Sequence, residues 1–367
     1  MTTAAPLRIK EGTTEVWVST TKKSSKGPSS RAHEPFYNPA MEMNRDVSIL
    51  VNQWFLNSRD NHVRLLDGLA ASGIRGIRYA SELEGDFEVT INDRDDASAA
   101  LMKKNIESLS LHNVIFTQKD LNVLLSEHRF DSIDIDPFGS PIYFFDAAVR
   151  SVTHKGMISF TATDTAALCG VFPKVCLRRY SAWPLHGPTM HEIGLRILLG
   201  SLCRHAAAYD LGVDPLLCYA TDHYFRAYVQ LIHSKNAANT SMASFKSIPA
   251  ADIPLSSEEP TMVGPFWLGR LQNKGVLKEL QRLVDKKELR TRPLLWKLLV
   301  LLEEEADGPP FFYTTSDLSS LLKLSPPPMS RLFEHLRHHG FLVTRTHFTP
   351  TGFKTDAPLT VIKEVFK

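Results

Sequence analysis

At 367 residues, with 43% hydrophobic and 22% charged residues, the chain has the composition of a folded globular protein, which excludes wholesale disorder. The formal net charge of +2 excludes a generally basic chain, so any nucleic-acid contact must come from local basic patches. The length exceeds one ordinary domain and fits two.

Residues 1–21 contain no apolar leader-like run, and the longest apolar stretch, Leu294 to Leu302, is broken by Lys297 and is far shorter than a membrane span. A cytoplasmic protein without membrane contact is expected. The cysteines Cys169, Cys176, Cys203 and Cys218 are dispersed, with no C-x-x-C pair, and read as reduced, mostly buried thiols. Residues 21–31, TKKSSKGPSSR, read as a polar loop that either stays solvated or orders on a phosphate. Asn44 is placed to cap a following helix in which Val47, Leu50, Val51, Trp54 and Phe55 recur at helical spacing along one apolar face.

From Val63 onward, short strands alternate with helices: VRLLDGL, FEVTIND, NVIFTQKD, FDSIDID and KGMISFTATD, with amphipathic stretches such as Ala97 to Ser108 between them. That alternation predicts an α/β fold with a mostly parallel sheet. LLCYAT and FRAYVQLIH lie close together and predict an antiparallel edge. Residues 236–261, rich in Asn, Ser, Ala and Pro, read as a linker, which divides the chain into residues 1–250 and 251–367. Beyond it, Leu268 to Val284 and Leu294 to Glu305 read as helices. Ser316 to Leu324, a triple-proline break, Ser330 to His339 and FLVTRTHFTPTGF predict a smaller α+β domain with a winged-helix-like part.

In an open parallel sheet, ligands bind beyond the carboxyl ends of the strands, and here Asp67, Asp93, Asp120 and Asp136 each close a strand candidate. One such aspartate is an ordinary cap or turn former, but four in order point to a site. The first turn, Asp67 to Gly76, has glycines but lacks both the G-x-G-x-x-G spacing and the Lys of a phosphate loop, which argues against an ATPase. Asp93 stands where an acid would hold ribose hydroxyls, with a plain helix cap as the alternative. The run Asp134 to Pro141 ends a strand in carboxylate, proline and aromatic ring. A carboxylate can accept the N–H of an exocyclic amine, localise its lone pair and take its proton. Pro137 fixes the turn without donating a hydrogen bond, and Phe138 is placed to stack on a base. A plain Asp-Pro turn is the alternative.

Four segments together resemble the tRNA guanine-26 N2-dimethyltransferase family: Phe36 to Ser48, DGLAASGIRGIR, DIDPFGSP, and TATDTAALCG with a later RRY. They stand in the family's order and cover most of residues 34–180. The resemblance implies a class I methyltransferase (Rossmann-like) fold, S-adenosylmethionine as cofactor, tRNA as partner and N2-methyl- then N2,N2-dimethylguanine as products. It implies that Arg45, Asp67, Ser72, Arg75, Asp93, Asp120 and Leu121 bind the cofactor. By itself Arg45 would read as part of a surface helix salt bridge. It further implies Asp136 with Pro137 as the catalytic pair, and Phe138, Thr163, Asp164 and Thr165 as substrate-binding residues. Basic clusters at Lys22 to Arg31, Arg178 with Arg179, and Lys286 to Arg292 are candidate phosphate contacts.

Many members of that family carry a cysteine-based zinc site after the last sheet strands, but His233 to Ala250 contains no cysteine, so no metal is expected. His335, His338 and His339 read as ordinary surface residues, and no obligate protein partner is evident. Two other functions fit the residues less well: a methyltransferase for an amino group of DNA or protein, and a non-catalytic duplex-binding regulator. The second would read DNA through Ser330 to His339, which carries Arg331 and Arg337 as its only arginines or lysines.

Overall fold

The structure, a computed structural model, describes residues 6–19, 37–221, 223–256 and 262–366. The basic loop 21–31, Phe36 at the start of its motif, and the end of the expected linker lie outside these residues. Two compact units interleave along the chain. The first holds the chain up to Pro137, Tyr143–Phe160 and Lys278–Trp296; the second holds Phe138–Ile142, Thr161–Leu277 and Lys297–Lys367.

The first unit opens with a hairpin, β1 (Leu7–Glu11) and β2 (Thr14–Val18), in which Glu11 faces Thr14 across a turn with Gly12 at φ +55°. There follow α1 (Glu42–Asn57), β3 (Val63–Asp67), α2 (Ile74–Glu82), β4 (Phe87–Asn92), α3 (Asp96–Ser108), β5 (Val114–Thr117), α4 (Leu121–Glu127), β6 (Phe130–Ile135), α5 (Ile142–Ser151) and β7 (Val152–Ala162). Strands β5, β4, β3, β6 and β7 stand side by side in that order, all parallel. The order reverses between β3 and β6, the switch point where ligands bind such sheets. Val89, Ile91, Ile133, Ile135, Met157, Ile158 and Phe160 are fully buried, as expected of strands covered on both faces.

The second unit carries α6 (Thr165–Leu168), α7 (Pro173–Tyr180), α8 (Met190–Ala207), β8 (Leu211–Ala220) and β9 (Phe225–His233), the last two antiparallel as expected. These seven strands make the large mixed, mostly parallel sheet. Helix α8 is apolar nearly all round, and Ile193, Leu195, Ile197, Leu198, Leu199 and Leu202 are completely buried. The expected linker is not structureless: α9 (Lys235–Ala243) and β10 (Phe245–Pro249) occupy it, and β11 (Met262–Trp267) pairs with β10. Ser234, whose side chain accepts from Ala237 N, starts α9 by an ordinary cap.

Helix α10 (Lys274–Val284) begins later than its sequence pattern suggested and α11 (Arg292–Glu305) slightly earlier; both run from one unit into the other. Toward the C-terminus of the second unit stand β12 (Tyr313–Thr314), α12 (Thr315–Leu322), α13 (Met329–His338), β13 (Val343–Arg345), β14 (Gly352–Thr355) and α14 (Leu359–Glu364). The three short strands form one sheet, and Leu318, Leu332, Leu336, Val343, Phe353 and Ile362 share its core. Below it, the Lys354 ammonium donates to both carboxylate oxygens of buried Glu192, at 2.7 and 2.8 Å, and Arg196 donates to the same group.

All four cysteines are free and buried, and burial pushes each thiol up to about 12. No helix of the described residues is long and apolar enough to cross a membrane. Asn44 is not a helix cap: Met41 holds that position, and Asn44 lies inside α1.

One side chain locks three strand ends together. The Asn92 amide donates to Gly68 O (3.0 Å) and Lys119 O (3.1 Å), and its oxygen accepts from Thr117 Oγ1 (2.9 Å) and Lys119 N (3.0 Å). Asn92→Ala removes all four bonds, leaves Gly68 O unpaired in a buried place and the other groups at half-buried ones, and is expected to lower the unfolding free energy by about 2 kcal/mol. Urea denaturation checks this, and parental stability would contradict it.

Candidate functional site

In the first unit the site is built from the ends of β3, β4, β5 and β6. Asp67 ends β3, nearly buried, and its Oδ2 accepts from Gly76 N at 2.8 Å. The following turn is tied down by backbone: Gly68 N donates to Asp134 O, Ala70 N to Asn92 O and Gly73 N to Ala70 O, at 2.7 to 3.0 Å. Ala71 (φ 49°) and Gly73 (φ 79°) sit in left-handed conformations, so the turn is tight. At Gly68 a Cβ would meet Leu121 Cδ1 at 2.9 Å and Asp134 O at 3.0 Å, so glycine is required there by the packing of β6 and Leu121. Ser72 is buried in the same turn.

Asp93 follows β4 directly and binds two backbone amides: its Oδ2 accepts from Ala71 N (2.8 Å) and its Oδ1 from Asp95 N (3.0 Å). The helix cap that was its alternative role belongs to Asp95, which accepts from Ser98 N. Asp93 therefore ties the end of β4 to the glycine-rich turn. Asp120 lies three residues past β5, caps α4 through Asn122 N (2.9 Å) and stands 3.6 Å from Arg94. Leu121 is buried beside it.

Arg75 is the centre of the cluster. Its guanidinium, almost completely buried, donates to Ser48 Oγ (2.6 Å), Asn44 Oδ1 (2.9 Å) and the Asp136 carboxylate, and its Nε stands 3.7 Å from Asp134. Asp134 in turn accepts from Tyr79 OH (3.1 Å) and Ser159 Oγ (3.0 Å). Asp136 follows β6 directly, and 22% of its side chain is exposed, so it is at once fixed by Arg75 and open on one side. The amide nitrogen of Asn44 is buried without a hydrogen-bond partner among the described residues.

Arg45 lies in a second buried set. Its Nε and Nη2 donate to the two oxygens of Glu11, at 2.8 and 2.6 Å, and Nη2 also reaches Asn38 O at 3.0 Å. Arg45 is thus no surface side chain. Arg78, fully buried, stands 3.3 Å from Glu11 and 2.7 Å from Asp46. Despite the cost of burial, Arg45 above all, with Tyr37 and Arg78, holds the Glu11 carboxyl below its ordinary range. The basic run Lys286 to Arg292 is largely engaged within this unit: Lys287 donates to Glu82 O and Glu84, and Arg290 to Lys10 O and Glu42. That accounts for two of the cations expected to meet phosphate.

In the second unit, Phe138 is 62% exposed, and the backbone after it is pinned by Thr163. Thr163 N donates to Gly139 O (2.9 Å), and Thr163 Oγ1 accepts from Gly139 N (2.7 Å). Asp164 accepts from Arg179 Nη1 (3.0 Å) and from Tyr180 OH at 2.9 and 2.8 Å, while Tyr180 OH and Ser140 Oγ are 2.6 Å apart. Thr165 opens α6 and accepts from Cys169 N (2.8 Å). Burial next to Asp164 pushes the Tyr180 hydroxyl far above its ordinary value.

Among the described residues no group of three or more His, Cys, Asp or Glu could hold a metal. Reading the sequence alone missed Glu11 and Asn92, took Asn44 for a helix cap and gave Ser48 no role beyond its place in the Phe36 to Ser48 motif. The alternation of buried Thr14, Val16 and Val18 was a usable strand signal for the hairpin that carries Glu11.

Burial pushes the Asp67 carboxyl up from 3.8 to about 7; Arg75 opposes this and Asp134 adds to it. The folded state therefore keeps a proton that the unfolded chain releases, so stability falls as pH rises from about 4 through 7, by at most roughly 1.4 kcal/mol per unit. Asp67→Asn removes this dependence. The unfolding free energy of the variant minus that of the parent is expected to rise between pH 4.5 and 7.5, and a flat difference would contradict the raised value.

A family model described as N2,N2-dimethylguanosine tRNA methyltransferase matches residues 12–367. The chain is 39% identical to the tRNA (guanine(26)-N(2))-dimethyltransferase of Thermococcus kodakarensis over 98% of each chain. It is 41% identical to that of Pyrococcus furiosus, covering 90% of this chain and 92% of the relative. Among solved structures, Trm1 from Pyrococcus horikoshii in complex with S-adenosyl-L-methionine is similar with a TM-score of 0.87 and 35% identity, covering 98% of this chain and 100% of that one. On the full-length match and these identities, the chain belongs to the N2,N2-dimethylguanosine tRNA methyltransferase family.

Proposed function

We infer that this protein transfers methyl groups from S-adenosylmethionine to the exocyclic N2 of guanine 26 in tRNA, giving N2-methyl- and then N2,N2-dimethylguanine. The observation that carries the reading is the Asp136 carboxylate, held by Arg75 at the switch point of the sheet yet partly exposed. A cytoplasmic location goes with a tRNA substrate.

The residues of the first unit fit the cofactor. The orphaned amide nitrogen of Asn44 and the Arg45 Nη1, which has no bond among the described residues, are donors suited to a carboxylate. Asp93 suits ribose hydroxyls, and Asp120 with Leu121 suits an adenine edge and face. Asp67, Ser72 and Arg75 complete the set that would hold it. When bound, the cofactor supplies an electrophilic methyl group on a sulfonium that leaves readily.

The chain's own residues prepare the nucleophile. The lone pair of guanine N2 is conjugated into the ring, and Asp136, by accepting an N–H, localises it and takes the proton. Arg75 holds that carboxylate in place, so its direction is set before substrate arrives. Pro137 stiffens the turn, and Phe138, 62% exposed, is assigned to stack on the base. Thr163, Asp164 and Thr165 are assigned to the substrate: Thr163 pins Gly139, and Asp164 secures Ser140 through Tyr180. A guanine within a stem junction must be extruded to reach these groups, at a few kcal/mol, which contacts elsewhere on the tRNA must offset. Residues 251–367 are assigned to positioning the tRNA.

The test is incubation of purified protein with labelled S-adenosylmethionine and an unmodified tRNA transcript carrying G26, followed by mass spectrometry of the nucleosides. N2,N2-dimethylguanosine that disappears with a G26→A transcript is expected. Label on DNA or peptide in competition, with none on tRNA despite measured cofactor binding, would overturn the reading. Asp136→Asn is expected to lower kcat by about 10²- to 10⁴-fold while cofactor and tRNA affinities stay near the parent's. A parental rate would remove Asp136 from the mechanism.

A further inference from the structure

We propose that the outer face of α7, with the residues just before it, is a tRNA-binding surface on which Phe172 stacks a base while Lys174 and Arg178 neutralise phosphates. The proposal rests on the tRNA reading above and names where, away from Asp136, the tRNA is held.

Helix α7 buries one face and exposes the other. Cys176 and Tyr180, four residues apart, point inward, and Lys174, Leu177 and Arg178 line the outward stripe. Val171 and Phe172, at the entry to the helix, are 53% and 56% exposed, and Leu177 is 46% exposed. Three large apolar side chains, one aromatic, are thus exposed within seven residues. The charge around them identifies the partner. From Thr165 to His191 the chain contains no Asp or Glu. Lys174 and Arg178 have no ion-pair or hydrogen-bond partner among the described residues, whereas Arg179 beside them is held by Asp164. Free cations interleaved with an exposed ring and apolar neighbours match the pairing that binds single-stranded or unstacked nucleotides, phosphates to the cations and a base on the ring.

The helix is also mechanically joined to the substrate motifs. Tyr180, at its C-terminal end, bonds both Asp164 and Ser140, so α7 is fixed to the two loops that carry Thr163, Asp164 and Phe138. Eight residues at 1.5 Å each place Phe172 about 12 Å along the helix from that anchor. An unpaired or unstacked nucleotide of the tRNA is the natural occupant of the Phe172 ring.

The experiment compares parent, Phe172→Ala, Phe172→Trp and the Lys174→Ala/Arg178→Ala double variant. It measures tRNA affinity by filter binding across a salt series, with cofactor titration as the check on folding. Phe172→Ala is expected to weaken tRNA binding about tenfold or more, and Phe172→Trp to restore it. The double variant is expected to weaken binding and to flatten the salt dependence by about one unit of slope per phosphate lost. Parental affinity and slope in variants that bind cofactor normally would overturn the proposal. So would a self-associated parent that dissociates in Phe172→Ala, by sedimentation, with tRNA affinity unchanged, because a second copy would then own this face. Binding is read directly, so a parent that methylates nothing while these variants lose tRNA would sink the enzymatic reading and leave the surface standing.

Discussion

Three carboxylates, Asp67, Asp134 and Asp136, are gathered at the ends of adjacent strands, and the Arg75 guanidinium is the cation that lets them stay there. Without it the first unit would hold uncompensated negative charge in a largely dry place, at a cost of several kcal/mol per ion. Arg75 is itself desolvated, and Ser48 and Asn44 of α1 accept two of its other N–H groups. This explains why α1 buries so many polar residues where a core helix would present only apolar ones. The helix packs against the sheet and at the same time supplies hydrogen bonds to its central charge cluster.

The consequence for chemistry is a carboxylate whose position is decided before substrate binds. Asp134 is sealed and bound by Tyr79 and Ser159, while Asp67 anchors Gly76 N at the turn proposed to meet the cofactor. Asp136, one residue beyond β6, is the member of the cluster with an open side. A second buried set, Glu11 with Arg45 and Arg78, fixes the start of α1 to the N-terminal hairpin and so holds the helix that serves Arg75. Both sets trade desolvation for direction, a trade expected where a site must be preorganised.

Much of this was legible in the sequence because it depends on local pattern. Alternating strands and helices gave the parallel sheet, and acids at strand ends marked the rim on which Asp67, Asp93 and Asp136 stand. Long-range pairing was not legible. Asn44 looks like a cap because nothing nearby in sequence shows that Arg75, thirty-one residues on, will take its oxygen. Glu11 looks like a surface acid until the hairpin carries it under Arg45. Residues 236–256 look like a linker by composition, yet Ser234 starts a helix there and β10 finds its partner in β11. The interleaving of the two units has the same origin: Lys278–Trp296 joins the first unit through Lys287, Arg290 and Thr291, whose partners Glu84, Glu42 and Asp46 lie more than two hundred residues away.

The most direct test of the central claim, that Arg75 acts on the reaction by holding Asp136, is a double-mutant cycle read by single-turnover methyl transfer at saturating cofactor and tRNA. Arg75→Met, Asp136→Asn and the combined variant are compared with the parent. If Arg75 works through Asp136, the combined variant is no slower than Asp136→Asn alone, because the clasp has nothing left to hold. Losses that simply multiply would show two independent contributions and contradict the account.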